Sequence, residues 1–203
     1  MERYSQKVLK LFLQPVNVGA MEDADVTAVA GSVACGDMIK LYLKFDETGK
    51  KIKKATFESF GCAANIATAS MMTMLIENKD IEEAEKIGFK EVVDSLGGLP
   101  RIKHHCAVLA VQALKVALEK WKIKRGEKPM DENMVKNLLR NILDPHTEKD
   151  LISSKIDQRA EISGNKIKIH ISATEDEYLE EIKSNILEAF EGLDYEVEII
   201  NEG

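Results

Sequence analysis

The order of patterns along the 203-residue chain predicts an α+β fold in two domains. Three observations carry this. Strand-like alternation between residues 26 and 60 precedes a long helical stretch, and strands in a block before helices is the α+β arrangement rather than an alternating α/β one. The polar run Lys124-Arg125-Gly126-Glu127-Lys128-Pro129 then interrupts the pattern. Beyond it a helix, a hairpin, a second helix and a last strand make a smaller α+β unit, so domains of 1–126 and 127–203 are expected.

Taken in order, Ser5 precedes a 3.6-period run (Val8, Leu9, Leu11, Phe12) that stops at Pro15, an amphipathic helix with an N-cap. Val26–Ala34, Met38–Asp46 and Lys51–Phe60 read as strands, the last two joined by the turn residues Glu47-Thr48-Gly49-Lys50, so a three-stranded antiparallel meander is expected. Helices follow over Ala63–Asn78, after Asp80, around Lys90–Ser95 and from about Cys106 to Lys124. The second domain reads αββαβ. Asp131 caps Asn133–Leu143, and Ile167, Ile169 and Ile171 alternate with Lys166, Lys168 and His170 after the turn Ser163-Gly164-Asn165. Glu175–Glu191 is an acidic amphipathic helix with Leu179, Ile182, Ile186, Leu187 and Phe190 on one side, and Tyr195, Val197 and Ile199 mark the last strand. His170 is expected at the surface, and Met71, Met72 and Met74 are expected as core filler.

An apolar fraction of 44% and a charged fraction of 31% with only 4 Pro exclude whole-chain disorder and collagen-like composition. The longest mostly apolar stretch, Ala67–Ile76, is far short of the ~20 residues that cross a bilayer. The N-terminus has no signal-peptide profile, and three cysteines are too few and odd in number for a disulfide framework. A soluble cytoplasmic protein is therefore expected. The net charge of −7 argues against a nucleic-acid partner, and it is uneven: residues 1–126 hold 19 Lys and Arg against 16 Asp and Glu, residues 127–203 hold 9 against 19, so the halves are +3 and −10.

All three cysteines, Cys35, Cys62 and Cys106, fall in the first domain at junctions between elements. Cys35 lies in Ala34-Cys35-Gly36-Asp37, Cys62 follows Gly61 where a strand gives way to a helix, and Cys106 follows His104-His105 where another helix starts. A thiol at a helix N-terminus faces unpaired N–H groups, which lowers its pKa and favours thiolate, so lowered values are expected for Cys62 and Cys106. If the three thiols converge, Asp37 and His105 complete a set of four or five donors. A core role for any single cysteine is common, yet three core cysteines all at junctions is a less economical reading. Gaps of 27 and 44 residues contain no Cys-x-x-Cys knuckle, which argues against a zinc finger, while thiolates favour zinc or an iron–sulfur cluster over magnesium or calcium. A carboxylate is the hardest donor in such a set, which fits a site built to release its metal.

On these residues the first domain closely resembles the IscU/NifU-type scaffolds of iron–sulfur cluster assembly. The resemblance covers residues 3–124 and rests on Tyr4-Ser5-x-Lys7-Val8, Pro15-Val16-Asn17-Val18-Gly19, Ala34-Cys35-Gly36-Asp37, Phe60-Gly61-Cys62-Ala63-Ala64, Ile66-Ala67-x-Ala69-Ser70, and Leu99-Pro100 with Lys103-x-His105-Cys106. It implies an α+β scaffold, without turnover of its own, on which a [2Fe-2S] cluster is built from iron and from sulfur supplied by a cysteine desulfurase, then passed to apo-proteins. Ferredoxin or another electron donor is a further candidate partner, and zinc a candidate occupant of the cluster-free form. By the same resemblance Cys35, Cys62 and Cys106 are the thiolate ligands, Cys106 is also the persulfide acceptor, and Asp37 is the carboxylate that keeps the site exchangeable. His105 and Lys103 are the neighbours that hold or shift ligands, and Tyr4 is the tyrosine linked to a homodimer. The chain departs from the bacterial pattern in two places. It has Leu99-Pro100-Arg101-Ile102-Lys103 where that pattern carries a double proline read by an Hsp70-type chaperone, and it continues for about 75 residues past Arg125. That extension more weakly resembles the small SufT/PaaD-type domain, without the cysteine often found before the second helix, where this chain reads Ser172-Ala173-Thr174. An acidic docking or transfer module is the expectation.

Two other classes compete. In one, the same residues hold zinc and the molecule chiefly binds partners. In the other, Cys106 is a sulfur-transfer nucleophile with His105 as its base.

Overall fold

The computed structural model describes residues 4–32, 36–144, 149–152, 159–172 and 176–202. The chain divides into two compact units, 1–118 and 119–203.

In the first unit, α1 (Gln6–Leu13) begins at Ser5, whose hydroxyl accepts from the Val8 N–H at 3.1 Å and donates to the Leu96 carbonyl at 2.5 Å. One side chain thus starts the helix and ties it to a segment 91 residues away. The meander is present as β1 (Val26–Ser32), β2 (Asp37–Phe45) and β3 (Ile52–Phe60), antiparallel in the order β1-β2-β3. Its period-2 pattern puts Ala28, Ala30, Ile39, Leu41, Leu43, Ala55 and Phe57 in the core. On the other face Tyr42 donates to Glu58 across the strands. Helix α2 (Ala63–Ile76) packs on β3 and α1 and is buried nearly all round, with Ala67, Met71, Met72 and Ile76 in the core and Met74 half exposed. Short α3 (Ile81–Ala84) and α4 (Phe89–Ser95) lead to a 3₁₀ turn, Arg101–Lys103, which runs directly into α5 (His104–Lys124). Helix α5 starts two residues earlier than its apolar periodicity predicts, so Cys106 is its third residue and not its cap.

The second unit begins inside α5. Glu119 pairs with Lys128 at 2.7 Å, and the buried Lys120 donates to the Ala189 carbonyl at 3.0 Å. The αββαβ order is present as α6 (Glu132–Leu139), β6 (Arg159–Ser163), β7 (Lys166–Ile171), α7 (Asp176–Phe190) and β8 (Glu196–Asn201). A two-residue ladder, β4 (Leu143–Asp144) with β5 (Lys149–Asp150), adds to it. Strand β7 is central, antiparallel to β6 and parallel to β8, because α7 returns the chain to the starting end of the sheet. Ile167, Ile169 and Ile171 are fully buried, as are Ile182 and Ile186 of α7 to within 2%. The other face is a row of surface ion pairs, Lys166–Glu196 at 3.1 Å and Lys168–Glu198 at 3.7 Å. His170 corrects the expectation of a surface residue: its side chain is only 14% exposed, with Nδ1 2.7 Å from Glu202, which also meets Arg159 at 2.8 Å. No helix among the described residues is long and apolar enough to cross a membrane.

Candidate metal centre

Cys62 is the N-cap of α2, in extended backbone, and its carbonyl accepts from the N–H groups of Asn65 and Ile66 at 2.9 and 3.2 Å. Its own N–H donates to Asp37 Oδ1 at 3.0 Å. Asp37 opens β2 and is 3% exposed, so its carboxylate reaches the helix start from the far end of a neighbouring strand. Gly61 makes the approach possible. At φ +150° it adopts backbone that side chains rarely enter, and a Cβ there would collide with Asp37 Oδ1.

Around this contact the chemistry gathers. The thiols of Cys62 and Cys106 are 3.7 Å apart, a non-bonded separation well beyond a disulfide. Asp37 Oδ2 lies 3.8 Å from Cys62 Sγ, 3.4 Å from Cys106 Sγ and 3.5 Å from His105 Nε2. His105 Nε2 is 3.4 Å from Cys106 Sγ, and Lys103 Nζ is 3.5 Å from Cys62 Sγ. The donor atoms of Asp37, His105 and Cys106 all lie within 4.8 Å of one another, spacing suited to a shared metal ion. Five of the six site residues read from the sequence therefore come together. The sixth, Cys35, lies outside the described residues.

The sequence profile of the NifU-like N terminal domain matches residues 3–128. The chain belongs to that family. A second profile, described as an iron-sulfur cluster assembly protein, matches residues 132–199. The iron-sulfur cluster assembly scaffold protein IscU 1 of Archaeoglobus fulgidus is 44% identical over 61% of this chain and 80% of its own length. The scaffold protein IscU of Aquifex aeolicus is 38% identical over 61% of this chain and 78% of its own length. The nitrogen fixation protein NifU of Trichormus azollae is 38% identical over 59% of this chain but only 42% of its own length. The Archaeoglobus and Aquifex relatives are named as scaffold proteins of iron-sulfur cluster assembly.

The electrostatics of this NifU-like domain correct one expectation. The Cys106 thiol is pushed far above its ordinary value, first by burial and then by Cys62 and Asp37. The helix N-terminus was expected to lower it, but the side chain is fully buried with a carboxylate as neighbour, and both penalise the thiolate. Lys103 is raised chiefly by the charge of Cys62, and Tyr4 is raised by burial and then by Cys62. Two residues of the domain went unnoticed in the sequence. Thr68 Oγ1 is 3.3 Å from the Cys106 carbonyl. Asn65 is fully buried with its amide directed at the ends of β2 and β3, and the available signal was a lone amide in the alanine-rich first turn of α2.

Proposed function

We propose that residues 1–126 form the scaffold on which a [2Fe-2S] cluster is assembled and from which it passes to apo-proteins, with residues 127–203 as an acidic docking or transfer module. The observation that carries this is the convergence of two thiols, a buried carboxylate and an imidazole, with Lys103 beside them, in a chain of this family. The donor set fits the cargo. Thiolates select iron–sulfur or zinc over hard cations, and Cys35, Cys62 and Cys106 with Asp37 or His105 in the fourth position supply the number of ligands that a two-iron cluster requires.

Sulfur enters from a cysteine desulfurase. The Cys106 thiolate attacks the terminal sulfur of the donor's persulfide, the donor's S–S bond breaks, its thiolate leaves, and a persulfide remains on Cys106. Reduction of that sulfur to sulfide then takes two electrons from ferredoxin or another electron donor. His105 Nε2, 3.4 Å from Cys106 Sγ, is the base within reach of the proton that burial holds on the thiol. Asp37, the hardest donor, keeps the finished cluster exchangeable. Tyr4, whose hydroxyl feels Cys62, Lys103 and Cys106, belongs to the face through which two copies meet during assembly. The site of action is the cytoplasm.

Anaerobic reconstitution with iron, cysteine and a desulfurase tests this reading. Two irons per site with visible charge-transfer absorption are expected, lost in Cys35→Ser, Cys62→Ser and Cys106→Ser. A colourless protein that keeps one zinc overturns it in favour of a zinc protein. Full sulfur-transfer turnover with Cys35 and Cys62 both replaced overturns it in favour of a thiol enzyme.

A further inference from the structure

The buried amide of Asn65 has no part in the donor set, yet it meets the strand end that carries Asp37 and the one that leads to Cys62. Its Nδ2 is 3.2 Å from the Met38 carbonyl, 2.9 Å from Ser59 Oγ and 3.3 Å from the Phe60 carbonyl. Two of these partners can only accept, so the NH₂ group must face the strands, and the orientation of the amide follows from its neighbours. Met38 follows Asp37, Phe60 precedes Gly61-Cys62, and Met38 and Phe60 are register partners on the last rungs of β2 and β3. Between amide and carboxylate there is room only for bare backbone, since a Cβ on Gly61 would lie 2.9 Å from Asn65 Nδ2 while striking Asp37. Asn65 Oδ1 is buried with no hydrogen-bond partner among the described residues. An apolar side chain would fill the same space without that cost, so packing alone does not account for an amide here.

We infer that Asn65 is a positioning residue: its amide ties the ends of β2 and β3 so that the Asp37 carboxylate is held on the Cys62 N–H, among the thiols. It acts through Asp37 and touches no cargo. The arrangement itself stands on geometry, and only its effect on cluster transfer rests on the scaffold reading.

The test uses the full chain and two variants, Asn65→Ala and Ser59→Ala, the second removing one acceptor from the strut while leaving the core filled. In the cluster-free protein, amide exchange followed by NMR is expected to quicken at Cys62 N–H by about tenfold in Asn65→Ala and by about threefold in Ser59→Ala, the scale of one lost hydrogen bond and of a weakened one. The amide of Met72, in the middle of α2, is expected to stay within about twofold. Protection of Cys62 unchanged in both variants overturns the inference; if Asn65→Ala unfolds, Ser59→Ala alone decides it. The second arm is a double-mutant cycle on cluster transfer to an apo-ferredoxin. Asn65→Ala should change the transfer rate in the native background and leave it unchanged in Asp37→Ala. An effect that persists without Asp37 overturns positioning through that carboxylate. If the native protein takes up no cluster, the scaffold reading fails while the exchange measurement still decides this one.

Discussion

Replacing Asp37 by asparagine should free the Cys106 thiol to ionise. Burial is the largest cause of that thiol's raised pKa and remains in the variant, but the charge of Asp37 is removable. Asparagine keeps the shape and keeps an oxygen to accept from the Cys62 N–H. Asp37 Oδ2 is 3.4 Å from Cys106 Sγ, where two unit charges repel by about 5 kcal/mol at an effective dielectric constant of about 20. A tenfold change in thiolate population needs about 1.4 kcal/mol, so a third of that repulsion is enough. The sign follows directly: a neighbouring carboxylate disfavours thiolate, and its loss lowers the Cys106 pKa and raises reactivity at any pH below it. The assay is iodoacetamide alkylation of reduced, cluster-free protein across about pH 7 to 10, with Cys62 and Cys106 scored on separate peptides by mass spectrometry. In the native chain the partly exposed Cys62 should react before the buried Cys106. In Asp37→Asn the Cys106 rate should rise at least about tenfold at every pH of that range. A Cys106 rate within about twofold of native would show that the carboxylate exerts no field on the thiol, and the reasoning would fail.

Four further outcomes are expected. Asp37→Ala should slow cluster transfer and lengthen the lifetime of the bound cluster, measured by the decay of its visible absorption; unchanged kinetics would remove the labile-ligand role. Ser5→Ala loses both the cap of α1 and the donor to the Leu96 carbonyl, and should cost about 1–2 kcal/mol in denaturant unfolding. Deleting residues 127–203 should leave cluster assembly in place and weaken a salt-sensitive interaction with a basic partner, while the tail of α5, which packs within the second unit, should lose amide protection. The Glu202 carboxyl is held below its ordinary value near 4.5, first by the hydrogen bond to His170 and then by Arg159. A depressed carboxylate contributes its stability above the ordinary value and loses it as pH falls through the folded one. Thermal midpoints of native and Glu202→Gln proteins should therefore differ at neutral pH and converge only once the pH has fallen below the ordinary carboxyl range, and a pH-independent difference would discount the pair.

What could be read from the sequence was chemistry that acts locally. Ser5 caps a helix because a hydroxyl three residues before the Val8 N–H can reach it, and the turn at 47–50 follows from residues that fold back on themselves. Cys62, Cys106, Asp37 and His105 could be singled out because they stand at element junctions, and the structure brings these four together. Tertiary surroundings were not legible. The start of α5 was misplaced because its first turn, His104-His105, has no apolar period and is entered from a 3₁₀ turn closed by Lys103 on the Pro100 carbonyl at 2.7 Å. The Cys106 thiol was assigned the wrong direction because a helix end seen in isolation has a dipole but no burial. The β4–β5 ladder is too short to show a period. The charge partition depends on where α5 is divided. With no breaker in α5, the break was read at 126, yet Lys120, Lys122, Lys124 and Arg125 lie in the second unit. Residues 1–118 hold 15 Lys and Arg against 15 Asp and Glu, and residues 119–203 hold 13 against 20, so the compact units are neutral and −7, while a division at 126 gives +3 and −10. Long-range attraction of a basic partner is then a property of the second unit alone.

Gly61 gives the centre a point of failure that leaves everything around it standing. A single methyl group there would strain the backbone at φ +150° and would strike first the Asp37 carboxylate and then the Asn65 amide. The thiols of Cys62 and Cys106 are not among the atoms such a methyl group meets first. What it displaces is the Asp37 carboxylate, whose Oδ2 lies within 4 Å of both sulfurs. On the role proposed for Asp37, a lesion at this glycine would turn a lender into a hoarder, a defect that shows in the proteins left waiting for cargo before it shows in the amount of cargo bound.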